Sequence, residues 1–245
     1  MDESFQVFLS STNADKIGSS IGNCTWYLPF IEIPDQHHIH LSVQSAIIPV
    51  SFYNVNVSNN IISYSLSSND SVVQQVIPVG NYNAIQLKAI LNTLIPFTIT
   101  YNTITNKFTF THPTYNFTFY NIGSTCFSLL GLSLVNQVSV NKSLVSNYCA
   151  NLSPIRAFQI STPTIKTGNI SKSKELSQNV LMQIPINEGP NEIVSYFNAT
   201  LFTSNLFVNY MHEIQIVILD QNSNVIDLNG VEWSIVLQFD ILKYV

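Results

Sequence analysis

Apolar and polar residues alternate with a period of two along most of this chain, and that pattern predicts a protein built from short β-strands. Phe5 to Leu9 alternates in the manner of an exposed arm strand. A polar stretch from Ser10 to Gly22 follows, then a strand over Cys24 to Ile33. Ile39 to Val50 carries the strongest strand signal of the N-terminal half. Ile39, Leu41 and Val43 share one face, as suits a sheet buried on one side. Pro49 and the Asn54–Asn60 region end it, and two shorter strands, Ile61 to Leu66 and Val72 to Val79, flank the turn-prone Ser67-Ser68-Asn69-Asp70.

The period then lengthens. Leu87, Ile90, Leu91 and Leu94 recur at helical spacing, which predicts a helix over Ala84 to Leu94 with Asn83 as its N-cap and Pro96 as its stop. Phe97 to Tyr101 and Lys107 to Thr111 read as a hairpin around Asn102 to Asn106, with Tyr115 to Tyr120 as a possible third strand. Ser124 to Leu130 reads as a short helix capped by Ser124 and stopped by Gly131. Alternation returns over Arg156 to Ser161, Val180 to Ile186, Ile193 to Thr203, Glu213 to Leu219 and Trp233 to Leu242. The Lys/Ser/Gly-rich segment from Thr162 to Ser177 reads as a long flexible loop.

Strands on both sides of a mixed segment predict a mainly-β chain: a jelly-roll β-sandwich interrupted by a small inserted α/β unit of strand, helix, hairpin and helix. On this reading residues 1–78 form an N-terminal arm and the first part of the roll, 79–147 the insertion, and 148–245 the remainder.

Charge sharpens the picture. Charged residues make up 9% of the chain, against about 25% in an ordinary soluble domain. Charge keeps isolated β-proteins soluble and discourages edge-to-edge pairing, so an ion-poor β-protein is expected to work with its surfaces covered by other subunits. Asn, Ser and Thr supply the polar surface and can hydrogen-bond across an interface without the desolvation cost of an ion. The formal net charge is −5, and the densest basic cluster is Lys166, Lys172 and Lys174 in the loop. It forms no basic stripe of the kind that neutralises phosphates, so no specific nucleic-acid binding is expected. No apolar run approaches the ~20 residues of a membrane-spanning helix, and the acidic start, Met1-Asp2-Glu3-Ser4, lacks a signal-peptide core.

Candidate chemistry is sparse. Cys24, Cys126 and Cys149 are widely spaced and odd in number, and read as small buried hydrophobes of a protein assembled in a reducing compartment. The sequons at Asn23, Asn56, Asn116 and Asn198 are what an Asn/Ser/Thr-rich chain produces by chance. In the run His37-His38-Ile39-His40, His38 and His40 share a strand face, but two histidines make an incomplete metal site. Asp220-Gln221-Asn222-Ser223-Asn224 opens like a calcium loop and then fails at Val225 and Val231, where Gly and Glu are needed. A hairpin between Ile214–Leu219 and Val225–Leu228 is expected instead. Asp227 and Glu232 are the nominal acid/base pair for a hydrolase reading, brought together by a turn at Asn229-Gly230. Thr167-Gly168-Asn169 is not a phosphate cradle. Trp26 and Trp233 read as core or interface anchors rather than a sugar platform. No catalytic residue, cofactor or metal is expected, and the interface residues stay open.

Three stretches together resemble one family. The first runs Gly22-Asn23-Cys24-Thr25-Trp26-Tyr27-Leu28-Pro29, Ile31-Glu32-Ile33, His40-Leu41-Ser42-Val43 and Ile48-Pro49-Val50-Ser51-Phe52-Tyr53-Asn54-Val55. The second is Ile77-Pro78-Val79-Gly80-Asn81-Tyr82 with the helix and hairpin after it and Leu129-Leu130-Gly131-Leu132. The third is Ile214 to Leu219, Asp220, Ile226-Asp227-Leu228-Asn229-Gly230 and Trp233-Ser234-Ile235-Val236-Leu237. In this order they are similar to the minor capsid proteins, or pentons, of Polintons, virophages, adintoviruses and Polinton-like viruses. Where the family strand often carries Trp-Glu, this chain has Ile39-His40. The resemblance implies a jelly roll whose homopentamer closes the fivefold vertices of an icosahedral virion. It also implies contact with a separate double-jelly-roll major capsid protein, and it brings no catalytic residues. Another minor or cement capsid role, and a receptor- or glycan-binding β-sandwich of a viral fibre, are the alternatives.

Overall fold

The computed structural model describes residues 3–67, 71–163, 170–172, 177–199, 203–206 and 210–243. In chain order the strands are β1 (Glu3–Ser10), β2 (Lys16–Ile17), β3 (Asn23–Glu32), β4 (His37–Pro49), β5 (Ile61–Ser65) and β6 (Val73–Val76). Helix α1 (Ala84–Leu94) leads to β7 (Thr98–Asn102), β8 (Lys107–Thr111) and β9 (Thr118–Phe119), and α2 (Phe127–Leu130) to β10 (Gln137–Val138) and β11 (Ser143–Val145). The chain finishes with β12 (Ala157–Ser161), β13 (Ile170–Lys172), β14 (Ser177–Pro185), β15 (Ile193–Phe197), β16 (Ser204–Leu206), β17 (Tyr210–Leu219) and β18 (Ser234–Lys243). Two compact units emerge, Met1–Phe52 with Ile155–Val245 and, between them in sequence, Tyr53–Pro154.

The first unit is a jelly roll. One sheet runs β1-β18-β4-β15, with β16 also on β4, and the other runs β14-β12-β17-β3, extended by β13 and β2 at its edges. In chain order β1, β3, β4 and β12 alternate between the sheets, β12 and β14 pair within the second, and β15, β17 and β18 alternate again, the order of a jelly roll, with all pairings antiparallel. Alternation aims Ile39, Leu41, Val43, Ile235, Leu237 and Phe239 of the first sheet inward against Phe158, Ile160, Ile214, Ile216 and Ile218 of the second. Trp26 and Trp233 are buried edge to face at 5.7 Å. Their indole N–H groups donate to the carbonyls of Ser10 and Ile21, so neither polar tip is stranded in the core.

Several sequence expectations change here. Phe5 to Leu9 is no free arm, because the whole of β1 pairs with β18 from Glu3↔Ile241 to Ser10↔Ser234 and Leu9 is buried in the core. Within the presumed loop 162–177, Ile170–Lys172 pairs with Ser177–Asn179 as a strand, whereas Lys166, Lys174 and Thr167–Asn169 lie outside the described residues. The hairpin expected between Ile214–Leu219 and Val225–Leu228 is present only next to its turn: an antiparallel bridge joins Leu219 to Val225 and the Ile226 N–H donates to the Ile218 carbonyl, after which the chain passes to the other sheet.

The second unit is larger than the 79–147 insertion expected, because the β5/β6 hairpin belongs to it. Ile62, Tyr64 and Ile77 share a core with Leu87, Leu91, Phe108, Phe110 and Phe119. Helix α1 begins with a capping box: the Asn83 side chain accepts from the Gln86 N–H, and Gln86 Oε1 accepts from the Asn83 N–H. Helix α2 starts at Phe127 rather than Ser124 and has no side-chain cap. Ser124 Oγ is engaged elsewhere, accepting from the Ser63 N–H and donating to the Tyr120 carbonyl. Gly131 ends α2 at φ 71°, where a Cβ would lie 2.3 Å from the Tyr148 carbonyl oxygen.

One buried side chain ties the two ends of this unit together. The Asn54 amide donates to the carbonyls of Tyr82 and Leu152 at 2.8 and 3.1 Å, and its oxygen accepts from the Tyr82 N–H at 3.0 Å. Replacing Asn54 by Ala leaves those groups unpaired in the interior and is expected to cost the second unit about 2–4 kcal/mol. Asn83→Ala, which removes only the helix cap, is expected to cost about 1 kcal/mol. Chemical denaturation with a probe in each unit measures both losses.

Candidate interaction surfaces

The residues that invited chemical readings are used for turns and packing. Asp220 is buried, and its carboxylate accepts from the N–H groups of Asn222 and Asn224 at 2.8 and 2.9 Å and from the Asn224 side chain at 3.0 Å. That carboxylate closes a turn rather than coordinating a cation. Asp227 accepts from the Asn229 N–H at 2.9 Å, holding the reversal in which Asn229 and Gly230 have φ of 52° and 75°. Both Asp227 and Glu232 are exposed. Trp233 is in the core and offers no face on which a sugar could stack.

His38 and His40 do share a face, with ring centroids 4.8 Å apart, whereas His37 turns its Nδ1 to the Asp35 carbonyl. Among the described residues no group of three or more His, Cys, Asp or Glu side chains could hold a metal ion. Among them, too, no helix is long and apolar enough to cross a membrane.

The three thiols differ, which corrects the expectation that all are buried. Cys24 and Cys126 are buried and Cys149 is exposed. Loss of solvation pushes the Cys24 thiol up to about 11 and the Cys126 thiol up to about 12. Cys24 donates to the Ile21 carbonyl and Cys149 to that of Thr105.

An exposed apolar row of the first unit lies on the outer face of the β1-β18-β4-β15 sheet. Cross-strand register lines up Phe8, Val236, Ser45 and Phe197 in one row across the four strands. The next row is Ser10, Ser234, Ile47 and Ser195. Phe8 is 75% exposed, Phe197 68% and Ile47 50%. On the other side of the aromatic row come Gln6, Gln238 and Ser42, then Ser4, Asp240 and His40. The lone carboxylate in these rows, Asp240, accepts from Ser4 Oγ at 2.5 Å and from the Gln238 amide at 3.0 Å. The surface is therefore an apolar centre between neutral hydrogen-bonding rows.

Sequence reasoning left this face unassigned, although it has a signature. In β1, Phe8 falls in the phase opposite to the inward Phe5, Val7 and Leu9, whereas Ile47 keeps the odd-numbered phase of Ile39, Leu41 and Val43 and is turned outward by the irregularity at Gln44. On the second unit Ile104 protrudes from the β7/β8 turn and is 90% exposed.

The three stretches that carry the resemblance also acquire a physical meaning. In the first unit the Ser51 hydroxyl donates to the Leu228 carbonyl at 2.6 Å, and the Asn229 amide donates to the Ser51 carbonyl at 2.5 Å. In the second, Asn54 and Val55 bind Asn81, Tyr82 and Gly80. The opening stretch is thus the common partner of the other two.

No family model matches the sequence, and no curated protein matches it. Among solved structures, the chain is similar to the mavirus penton protein, with a TM-score of 0.51 and 10% identity over 99% of this chain and 100% of that one. A chain in the cryo-EM structure of the Sputnik virophage aligns at 12% identity over 99% of this chain and 98% of that one, with a TM-score of 0.49.

The thiol environments set a pH dependence. Burial raises the folded-state pKa of Cys24 and Cys126 above the value of 9.0 that an exposed thiol has. Their contribution to stability is therefore complete below pH 9 and is lost as pH rises from 9 through 11 to 12. Cys126→Ala is expected to flatten the alkaline slope of stability. A maleimide is expected to label Cys149 in the native protein and the other two only after unfolding, with mass spectrometry counting the adducts.

Proposed function

We propose that this chain, whose fold is similar to that of the mavirus penton protein from end to end, is a structural minor capsid protein of the penton type, a homopentamer that closes the fivefold vertices of an icosahedral, double-jelly-roll capsid. The observation that carries the reading is the combination of a complete eight-stranded jelly roll with one unit inserted between β4 and β12, matching the mavirus penton protein over its full length. The composition supports it. A chain with 9% charged residues and a neutral, apolar-centred sheet face suits permanent packing among other subunits.

On this reading the protein works in the virion as a building block rather than an enzyme. Its partners are four further copies of itself and the major capsid protein of the same virus. The jelly roll supplies the wedge that repeats around the axis through heterologous contacts, which close into a ring when the rotation divides the circle evenly. Of the nominal acid/base pair, Asp227 holds a turn through the Asn229 N–H, and Asp220, from the calcium-like stretch, holds another through three hydrogen bonds.

Native mass spectrometry of the purified chain is expected to give an assembly of five copies of 27.4 kDa. Cryo-EM of the virion is expected to put its density on the fivefold axis. A strict monomer at high concentration that is also missing from purified virions overturns the proposal. Density elsewhere in the shell assigns it instead to a cementing role.

A further inference from the structure

We infer that the outer face of the β1-β18-β4-β15 sheet, centred on Phe8, Ile47 and Phe197, is buried against a second copy of this chain. The inference rests on the homopentamer reading and adds to it the surface used.

Area is the first argument. Phe8 and Phe197 each leave roughly 150 Å² in water and Ile47 and Ile193 roughly 100 Å² each, a patch of about 500 Å² where a monomer's largest is ~300–600 Å² and often functional. With the flanking Gln6, Gln238, Ser10, Ser234 and Ser195, the face approaches the ~800 Å² per partner of a standard stable interface. Its layout sets two aromatic anchors at the ends of one row, on β1 and β15, with Val236 and Ser45 between them and neutral hydrogen-bonding rows alongside.

Charge selects the occupant. Across these rows the fixed charge is the Asp240 carboxylate, already bound by Ser4 and Gln238. A partner of ordinary charge density would strand its ions, desolvated and unpaired, against a surface with nothing to neutralise them. The protein on the page with a matching ion-poor surface is this chain, with 9 Lys and Arg and 14 Asp and Glu in 245 residues. Because five copies close a ring by heterologous contacts, the face meets a different surface of the next copy rather than its own image.

The test is a Phe8→Asp/Phe197→Asp double variant of the full chain beside Ile104→Asp, a control at an exposed hairpin tip of the second unit. Circular dichroism and Tm verify folding, and light scattering over a dilution series reads assembly. The double variant is expected to stay folded and to raise the subunit dissociation constant by at least about a hundredfold, while Ile104→Asp assembles like the parent. Radical footprinting of the unmodified protein gives a readout free of any folding defect: Phe8 and Phe197 are expected to be protected at concentrations where the assembly forms. A folded double variant that still forms pentamers, or equal oxidation of both residues in assembled and diluted protein, overturns this inference and leaves the pentamer standing. An unmodified chain that never assembles overturns the pentamer reading itself.

Discussion

The long antiparallel pairing of β4 with β18 governs the jelly roll. It runs from Ser234↔Ile47 to Lys243↔His37 and sits between β1 and β15. Because side chains alternate with a period of two, fixing this one register decides which residues of the whole sheet face the core. A single irregularity between Val236 and Leu237 absorbs Gln44 as an extra residue in β4. On one side of it Leu237, Phe239 and Ile241 face inward beside Val43, Leu41 and Ile39. On the other, Ile235 and Ala46 face inward, and Val236, Ser45 and Ile47 are turned to the outside. The bulge thus corrects the phase of β4 and keeps both halves of the strand in the same core.

The second unit is governed by a different force. Its sheets are short, and its core is assembled from rings: Phe97 contacts Tyr64, Phe117 and Phe119 at 4.5–5.4 Å, and Phe119 meets Phe110 at 5.0 Å. Such a core buries much apolar area per residue, which a unit of this size needs. Side chains also complete the backbone ladder where strands stop: Ser139 Oγ accepts from the Phe117 N–H, and Asn92 both accepts from the Ile99 N–H and donates to the Ile99 carbonyl. The abundant Asn and Ser of this chain are thus as much internal connectors as surface groups.

Features that depend on local periodicity were legible in the sequence. Helix α1 was readable from its apolar spacing and the Asn83 cap, and the first half of β4 from the alternation of Ile39, Leu41 and Val43. Features decided by competition at a distance were not. Ser124 has the chemistry of a helix cap, but the Ser63 N–H, sixty-one residues away in sequence, takes its oxygen. Period two marks Ile61–Ser65 as a strand yet is silent about which core receives it, so the inserted unit, Tyr53–Pro154, exceeds the 79–147 that the pattern predicts. Phe8 marks the exposed phase of β1, but Ile47 is turned outward only by the irregularity at Gln44, and it takes the register with β18 and β15 to show that these residues and Phe197 form one surface.

The Asn54 clasp bears on how the chain can fold at all. β4 and β12 are neighbours in the roll's chain order but are separated by the whole of Tyr53–Pro154, a loop whose closure would be entropically slow if it stayed open. By holding Tyr82 and Leu152 on one amide, Asn54 lets the inserted unit bring its own termini together. Once that unit has formed, the roll experiences about a hundred intervening residues as little more than a tight connection.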